Sequence, residues 1–202
     1  MTSQTQRERL IELFKSTPIL KSRDIAKHDI DAKTVQRMVE SGEVQRIARG
    51  IYARPDLEPG SHHSLVEAQM IVGNGVACLL SALSFHEIGT QTPRRVWIAV
   101  SRGARPPKVT EHPIKVVTFS GEAFSAGIEE HQIEGFIVRV YSAAKTVADC
   151  FKYRNKIGTD VAVEALREAL QTRKTNANEI LHYADICRVR NVMMPYLESV
   201  LQ

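Results

Sequence analysis

Hydrolytic or transfer chemistry needs particular side chains at particular spacings, and this chain of 202 residues offers few of them. A carboxylate–metal nuclease uses paired acids to hold Mg²⁺ and a lysine to steady the attacked phosphate. The only acidic-x-Lys triplet is Asp31-Ala32-Lys33, and its aspartate stands where a helix N-cap is expected. Ser142-Ala143-Ala144-Lys145 matches Ser-x-x-Lys, but its companion motifs are missing, and Ser142 suits the cap of a helix that follows a strand. Thr146 and Asp149, an i, i+3 pair among apolar residues, suit a structural hydrogen bond better than a surface acid. There is no P-loop, dinucleotide glycine fingerprint or nucleotidyltransferase Gly-Ser with paired aspartates, and His86-Glu87 lacks the second histidine of a zincin. The seven histidines, including adjacent His62 and His63, show no ligand spacing. The expectation is a protein that is not an enzyme and needs no metal or cofactor.

A second chemistry, recognition of a polyanion, is better represented. Lys33, Thr34, Gln36 and Arg37 fall in one short helical run, and such donors match base edges. Arg46, Arg49 and Arg54 follow in a segment of strand character, where cations would meet phosphates. The elements that must position them are legible. Leu10, Ile11, Leu13 and Phe14 give residues 4–15 an apolar helical face, which Pro18 ends. Ser22 can cap a second helix over 23–28 with Ile25 and Ala26 inward. Asp31 caps a third over 32–41, with Ile30 and Val35 as a hydrophobic staple, Val35, Met38 and Val39 on its buried face, and Gly42 at its end. Strands at 44–47 and 51–53, joined by Ala48-Arg49-Gly50, make a hairpin with a basic tip. Three short helices and a hairpin are the order of a winged helix-turn-helix, whose third helix enters the major groove. The alternatives are a merely solvated polar face or a protein-binding module. Asp24, Asp29 and Asp31 near the turn would repel phosphates if they faced them. The segment 1–60 has 11 basic and 9 acidic side chains, so net charge does not separate these readings.

The run from Gly42 to Pro55, Gly-Glu-Val-Gln-Arg-Ile-Ala-Arg-Gly-Ile-Tyr-Ala-Arg-Pro, within the stretch Ser22 to Pro55, resembles the N-terminal winged helix of the AbiEi antitoxins of type IV toxin–antitoxin systems. Arg-Gly-Ile-Tyr is its most telling part. The resemblance continues in Ser81-Ala82-Leu83-Ser84-Phe85-His86, in Pro93-Arg94-Arg95-Val96-Trp97-Ile98-Ala99-Val100 with Arg102-Gly103, and in Tyr141 to Phe151 with Thr146 and Asp149; the last thirty residues are not matched. It implies operator DNA as one partner and, as a functional partner, a co-encoded nucleotidyltransferase toxin opposed without a tight complex. It further implies repression of their shared promoter by cooperative binding, in the setting of abortive infection and phage defence.

Composition agrees with a folded regulator: 43% hydrophobic, 25% charged, a formal +4 and a pI near 9.0. Two domains are expected, a winged helix at 1–58 and an α+β domain at 62–202, divided by a polar linker of Asp56, Glu58, Pro59, Gly60 and Ser61. In the second, helices are expected at 64–72, 76–88, 143–152, 160–172, 177–188 and 192–201, the last broken by Pro195, and strands at 96–100, 114–119 and 136–141. Its charge is uneven. Residues 94–117 carry Arg94, Arg95, Arg102, Arg105, Lys108 and Lys115 against Glu111, and residues 139–156 carry Arg139, Lys145, Lys152, Arg154 and Lys156 against Asp149. If the two segments lie together they form a basic surface for RNA, DNA or protein. Cys78, Cys150 and Cys187 are too sparse for a disulfide framework and suit a reducing compartment; without an apolar leader or span, the chain is expected in the cytoplasm. Two other readings fit the same residues, a stand-alone regulator with a ligand-binding or dimerising second domain, and a nucleic-acid-processing enzyme with a dispersed site.

Overall fold

The first helix, α1 (Gln6–Ser16), begins at a capping box: the Glu8 N–H donates to Thr5 Oγ1 (3.2 Å), and the Thr5 N–H donates back to Glu8 Oε2 (2.8 Å). This opening belongs to a computed structural model that describes residues 4–56, 60–106 and 113–201. Pro18 follows the helix, and the chain enters a short strand, β1 (Ile19–Lys21), not foreseen from the sequence. Next come α2 (Ser22–Ala26), α3 (Ala32–Glu40), β2 (Gln45–Ala48) and β3 (Ile51–Ala53). Ser22 is the first residue of α2 and caps nothing; its N–H donates instead to the Gly50 carbonyl (2.8 Å). Ala26 is exposed, so Ile25 alone anchors that helix. β3 pairs antiparallel with both β1 and β2, giving a three-stranded sheet in the order β1-β3-β2, with an irregularity between Arg46 and Ala48. Leu10, Phe14, Leu20, Ile25, Ile30, Val35, Met38 and Val44 fill the core between helices and sheet. This is a winged helix.

Beyond it lie α4 (His63–Val72), β4 (Val76–Ala77), α5 (Leu79–Phe85), β5 (Val96–Ser101), β6 (Ile114–Phe119), α6 (Glu122–Ser125), β7 (Ile128–Ile133) and β8 (Phe136–Tyr141). The chain closes with α7 (Ala143–Lys152), α8 (Arg154–Ile157), α9 (Thr159–Gln171), α10 (Ala177–Ile186) and α11 (Arg190–Leu201). The apolar run read as one helix over 76–88 starts instead as a strand, because Val76 and Ala77 pair with Ala99 and Ile98 in the middle of a sheet. That sheet is mixed, ordered β6-β5-β4-β8-β7, with β5 parallel to β6 and β4 parallel to β8. Pro195 does not break α11, which runs through it. The overall class is α+β, as the sequence implies. No helix among the described residues is long and apolar enough to cross a membrane.

The chain divides into two compact units, residues 1–71 with 132–137, and residues 72–131 with 138–202. The first therefore extends past the linker at 56–61 and takes in the β7–β8 turn. There, Glu134 accepts the Gly60 N–H (3.0 Å) and lies 2.7 Å from His63 Nδ1.

In the second unit α7 is enclosed on all sides. Ala143 to Phe151 are all buried, with α5, α9, α10 and the sheet around them. Lys145 is fully buried, its Nζ 2.7 and 2.6 Å from the two carboxylate oxygens of Asp149 and over the rings of Tyr141 (4.3 Å) and Phe119 (4.9 Å). The assignment of Lys145 to a basic surface is thereby corrected: at i, i+4 of an enclosed helix, the ammonium has an acid within reach and no path to water. Burial pushes the Asp149 carboxyl up to about 6 although Lys145 opposes the shift. Lys145→Ala should lower unfolding free energy by about 3–5 kcal/mol, because the carboxylate is left buried and alone. Lys145→Met with Asp149→Leu should recover most of that loss; denaturant titration of the three proteins measures both.

Candidate nucleic-acid interface

The geometry around α3 is set from its first turn. Asp31 Oδ1 accepts the Thr34 N–H at 2.6 Å, and Gln6 Oε1 accepts both the Asp31 N–H (3.1 Å) and the Thr34 hydroxyl (2.9 Å). The cap thus joins α3 to α1. The Thr34 N–H holds the Asp31 carboxyl below its ordinary value. With Val35 and Met38 buried, Lys33, Gln36 and Arg37 turn outward and are exposed. Lys33 and Arg37 have no side-chain hydrogen bond or ion pair among the described residues, whereas Gln36 donates to Glu40 (2.9 Å). Thr34 is half-buried and its hydroxyl is committed to Gln6, so of the four base-reading candidates it is the one set back from the face.

Arg46 and Arg49 project from the wing and are exposed. Gly50 holds φ at +73°, a conformation strained for any residue with a side chain, and a Cβ there would also lie 3.0 Å from the Ser22 hydroxyl, which would have to shift. Arg54 is tied to Asp56, through Nε at 2.9 Å and a second, Nη2 contact, and is a weaker phosphate candidate than the wing pair. The neighbouring acids are engaged too. Asp24 pairs with Lys27 (2.8 Å), and Glu43 with Arg7 (2.6 Å) and Ser41 (2.8 Å). Asp29 is exposed. The exposed cations Lys33, Arg37, Arg46 and Arg49 face solvent in a unit where Asp24 and Glu43 are ion-paired, Asp31 is held by backbone, and Asp29 and Glu40 have no cation partner among the described residues.

The basic residues of the second half do not form one patch. Arg94 and Arg95 precede β5, and Arg102 and Arg105 follow it; all four are exposed. At about 3.3 Å per residue, a six-residue strand separates the two pairs by roughly 20 Å, more than two Debye lengths of about 8 Å at physiological salt. Lys108 lies outside the described residues. Lys115 sits over the Trp97 ring (4.0 Å), Arg139 donates to the Gly75 carbonyl (3.2 Å), and Arg154 donates to the Phe151 carbonyl (2.9 Å). Lys152 and Lys156 remain exposed. The segments that carry them do meet: the Tyr153 hydroxyl donates to the Thr118 carbonyl (3.2 Å), and the Arg102 N–H donates to the Phe119 carbonyl (2.8 Å).

The fold and the exposed cations of the first unit define the winged-helix class, whose third helix and wing are the elements that dock on duplex DNA. Residues 8–55 match the family described as "Transcriptional regulator, AbiEi antitoxin", the segment in which the sequence carries that resemblance. Comparison with curated proteins gives no match. Among solved structures, the crystal structure of the RV2827C protein from Mycobacterium tuberculosis is similar with a TM-score of 0.63 and 12% identity, over 98% of this chain and 82% of that one. At that identity the likeness is one of fold.

Because the Asp31 carboxyl is held low in the folded state, its contribution to stability is complete above the ordinary carboxylate range, near pH 4, and is lost as the pH falls through the lower folded value. Asp31→Ala should lower the melting temperature at neutral pH and remove that acid-limb dependence. Asp31→Asn should keep the cap and lose only the pH dependence, and thermal melts from pH 2 to 7 compare the three.

Proposed function

We propose that this protein is an antitoxin and DNA-binding transcriptional autorepressor of a type IV, abortive-infection toxin–antitoxin operon, opposing a co-encoded nucleotidyltransferase toxin. The observation that carries the reading is the capped α3. It presents Lys33, Gln36 and Arg37 outward beside a wing with Arg46 and Arg49, within a segment that matches the AbiEi regulators. In this reading α3 lies in the major groove, where Arg37 and Lys33 donate to guanine edges and Gln36, released from Glu40, pairs with adenine. Arg46 and Arg49 hold phosphates and set the register. Thr34 keeps the helix in place and reads little. The role assigned to the chain is binding, without a catalytic step.

Arg37→Ala should relax sequence preference at one operator position, at about 1–3 kcal/mol of discrimination. Arg49→Ala should weaken binding evenly across sequences and reduce the salt slope by about 1. Titrations of the upstream DNA at several salt concentrations separate the two, and equal behaviour of both variants and parent would remove the docking geometry. Co-expression with an adjacent nucleotidyltransferase gene should restore growth; a toxin still lethal in the presence of the folded protein would remove the antitoxin half of the proposal.

A further inference from the structure

The carboxyl end of the edge strand β6 borders a small cavity of about 110 Å³ lined by Thr118, Phe119, Ser120, Lys152, Tyr153 and Cys187, with Ala123 and Asp149 completing it. The volume is well below the about 300–1,000 Å³ of sites that enclose a whole small molecule, so it suits one planar ring. Its wall is aromatic: the Tyr153 ring lies 5.4 Å from Phe119, which stacks in turn on Tyr141 at 5.6 Å.

Apart from Lys152 at the opening, the polar groups in the wall are donors and acceptors without net charge. Asp149 is compensated by Lys145, and burial pushes the Cys187 thiol, 3.2 Å from Asp149 Oδ1, up to about 12, which keeps it neutral. The rim is basic. Lys152 lines the opening, Lys156 Nζ stands 5.2 Å from the Tyr153 ring centre, and Arg102 is joined through its backbone to Phe119. Glu122, exposed on α6, is the acid nearest in sequence to the lining residues Ser120 and Ala123. An aromatic-walled, ring-sized recess rimmed by cations is the pattern of sites for single-stranded nucleic acid, in which a base stacks and the backbone follows the charge. A duplex keeps its bases stacked inside and could offer the recess nothing.

We infer that the second unit binds a single-stranded polynucleotide, with one unstacked base in this cavity against Tyr153 and the adjoining phosphates on Lys152, Lys156 and Arg102. The inference goes beyond operator recognition and does not rest on it, because none of these residues belongs to the winged helix.

The test is fluorescence anisotropy of the full chain with a labelled, unstructured oligopyrimidine, as RNA and as DNA. Variants are checked for folding by circular dichroism. Both oligomers, or one of the two sugars preferentially, should bind. Tyr153→Ala should weaken binding about tenfold or more, while Tyr153→Phe keeps it. Lys152→Ala with Lys156→Ala, both at exposed positions, should reduce the log–log salt slope by about 0.7 for each phosphate lost and leave duplex binding intact. An abasic oligomer of equal length should bind more weakly than the parent. The proposal fails if neither oligomer binds, if the abasic oligomer binds equally well, or if binding ignores the Lys152/Lys156 pair and is lost in Arg49→Ala, which would place the strand on the wing.

Discussion

An enclosed helix imposes the strictest condition on the larger unit. From Ala143 to Phe151 every residue of α7 is buried, so Lys145, fully enclosed among them, cannot extend its stem to carry the charge outward, as lysines at an edge do. An unpaired ammonium there would be prohibitive. Asp149 answers one helical turn later, with both oxygens on Nζ, and the π faces of Tyr141 and Phe119 take the remaining side. Neighbouring segments are then fixed by contact with the pair. Gly127, at φ +72°, passes so close that a Cβ would fall 2.8 Å from Lys145 Cβ, and its carbonyl accepts the N–H of the cap residue Ser142 (2.7 Å). Cys187 closes the far side against Asp149. Replacing the pair by apolar residues could leave stability unharmed, so its worth lies more in fixing one arrangement of α7, β6 and the α10–α11 junction than in net energy.

The winged helix solves the opposite problem, that of keeping cations unpaired. An exposed arginine beside a free carboxylate loses part of its attraction for phosphate, so the placement of acids matters as much as that of bases. Here Asp31 is occupied by backbone, Asp24 by Lys27, and Glu43 by Arg7 and Ser41, each with its carboxyl held low by those hydrogen bonds. The surface ion pairs contribute little to stability. What they do is match the charges of Asp24 and Glu43 with cations other than Lys33, Arg37, Arg46 and Arg49.

Much of this was legible in the sequence where the signal is local. The Asp31 cap, the staple of Ile30 and Val35, the Arg49-Gly50 turn and the strands read at 96–100, 114–119 and 136–141 depend on neighbours a few residues away. The Thr5-x-x-Glu8 box is equally local in the sequence, although the expectation of a helix from residue 4 does not use it. Long-range features left no such mark. β1 has three residues, too few for a period, and exists because β3 offers it an edge. β4 has two, in an apolar run that reads as helix until Ala99 and Ile98 pair with it. The wider first unit depends on Glu134 reaching Gly60 and His63, more than 70 positions away in sequence.

Charge density along the chain was the least faithful guide, for a physical reason. A segment's formal charge weights every residue equally, whereas the field outside a protein is made by groups that keep their hydration and lack a partner. Of the five cations between 139 and 156, Lys145 is neutralised in the core, and Arg139 and Arg154 spend hydrogen bonds on main-chain carbonyls. Lys152 and Lys156 are left, and their effect depends on β6 ending beside them with an aromatic recess underneath. The four arginines around β5, contiguous on paper, are parted by the strand into two groups that salt screens from each other. What gathers charge in the second unit is therefore the meeting of strand ends with the α7–α8 corner, a property of topology that no window of sequence contains.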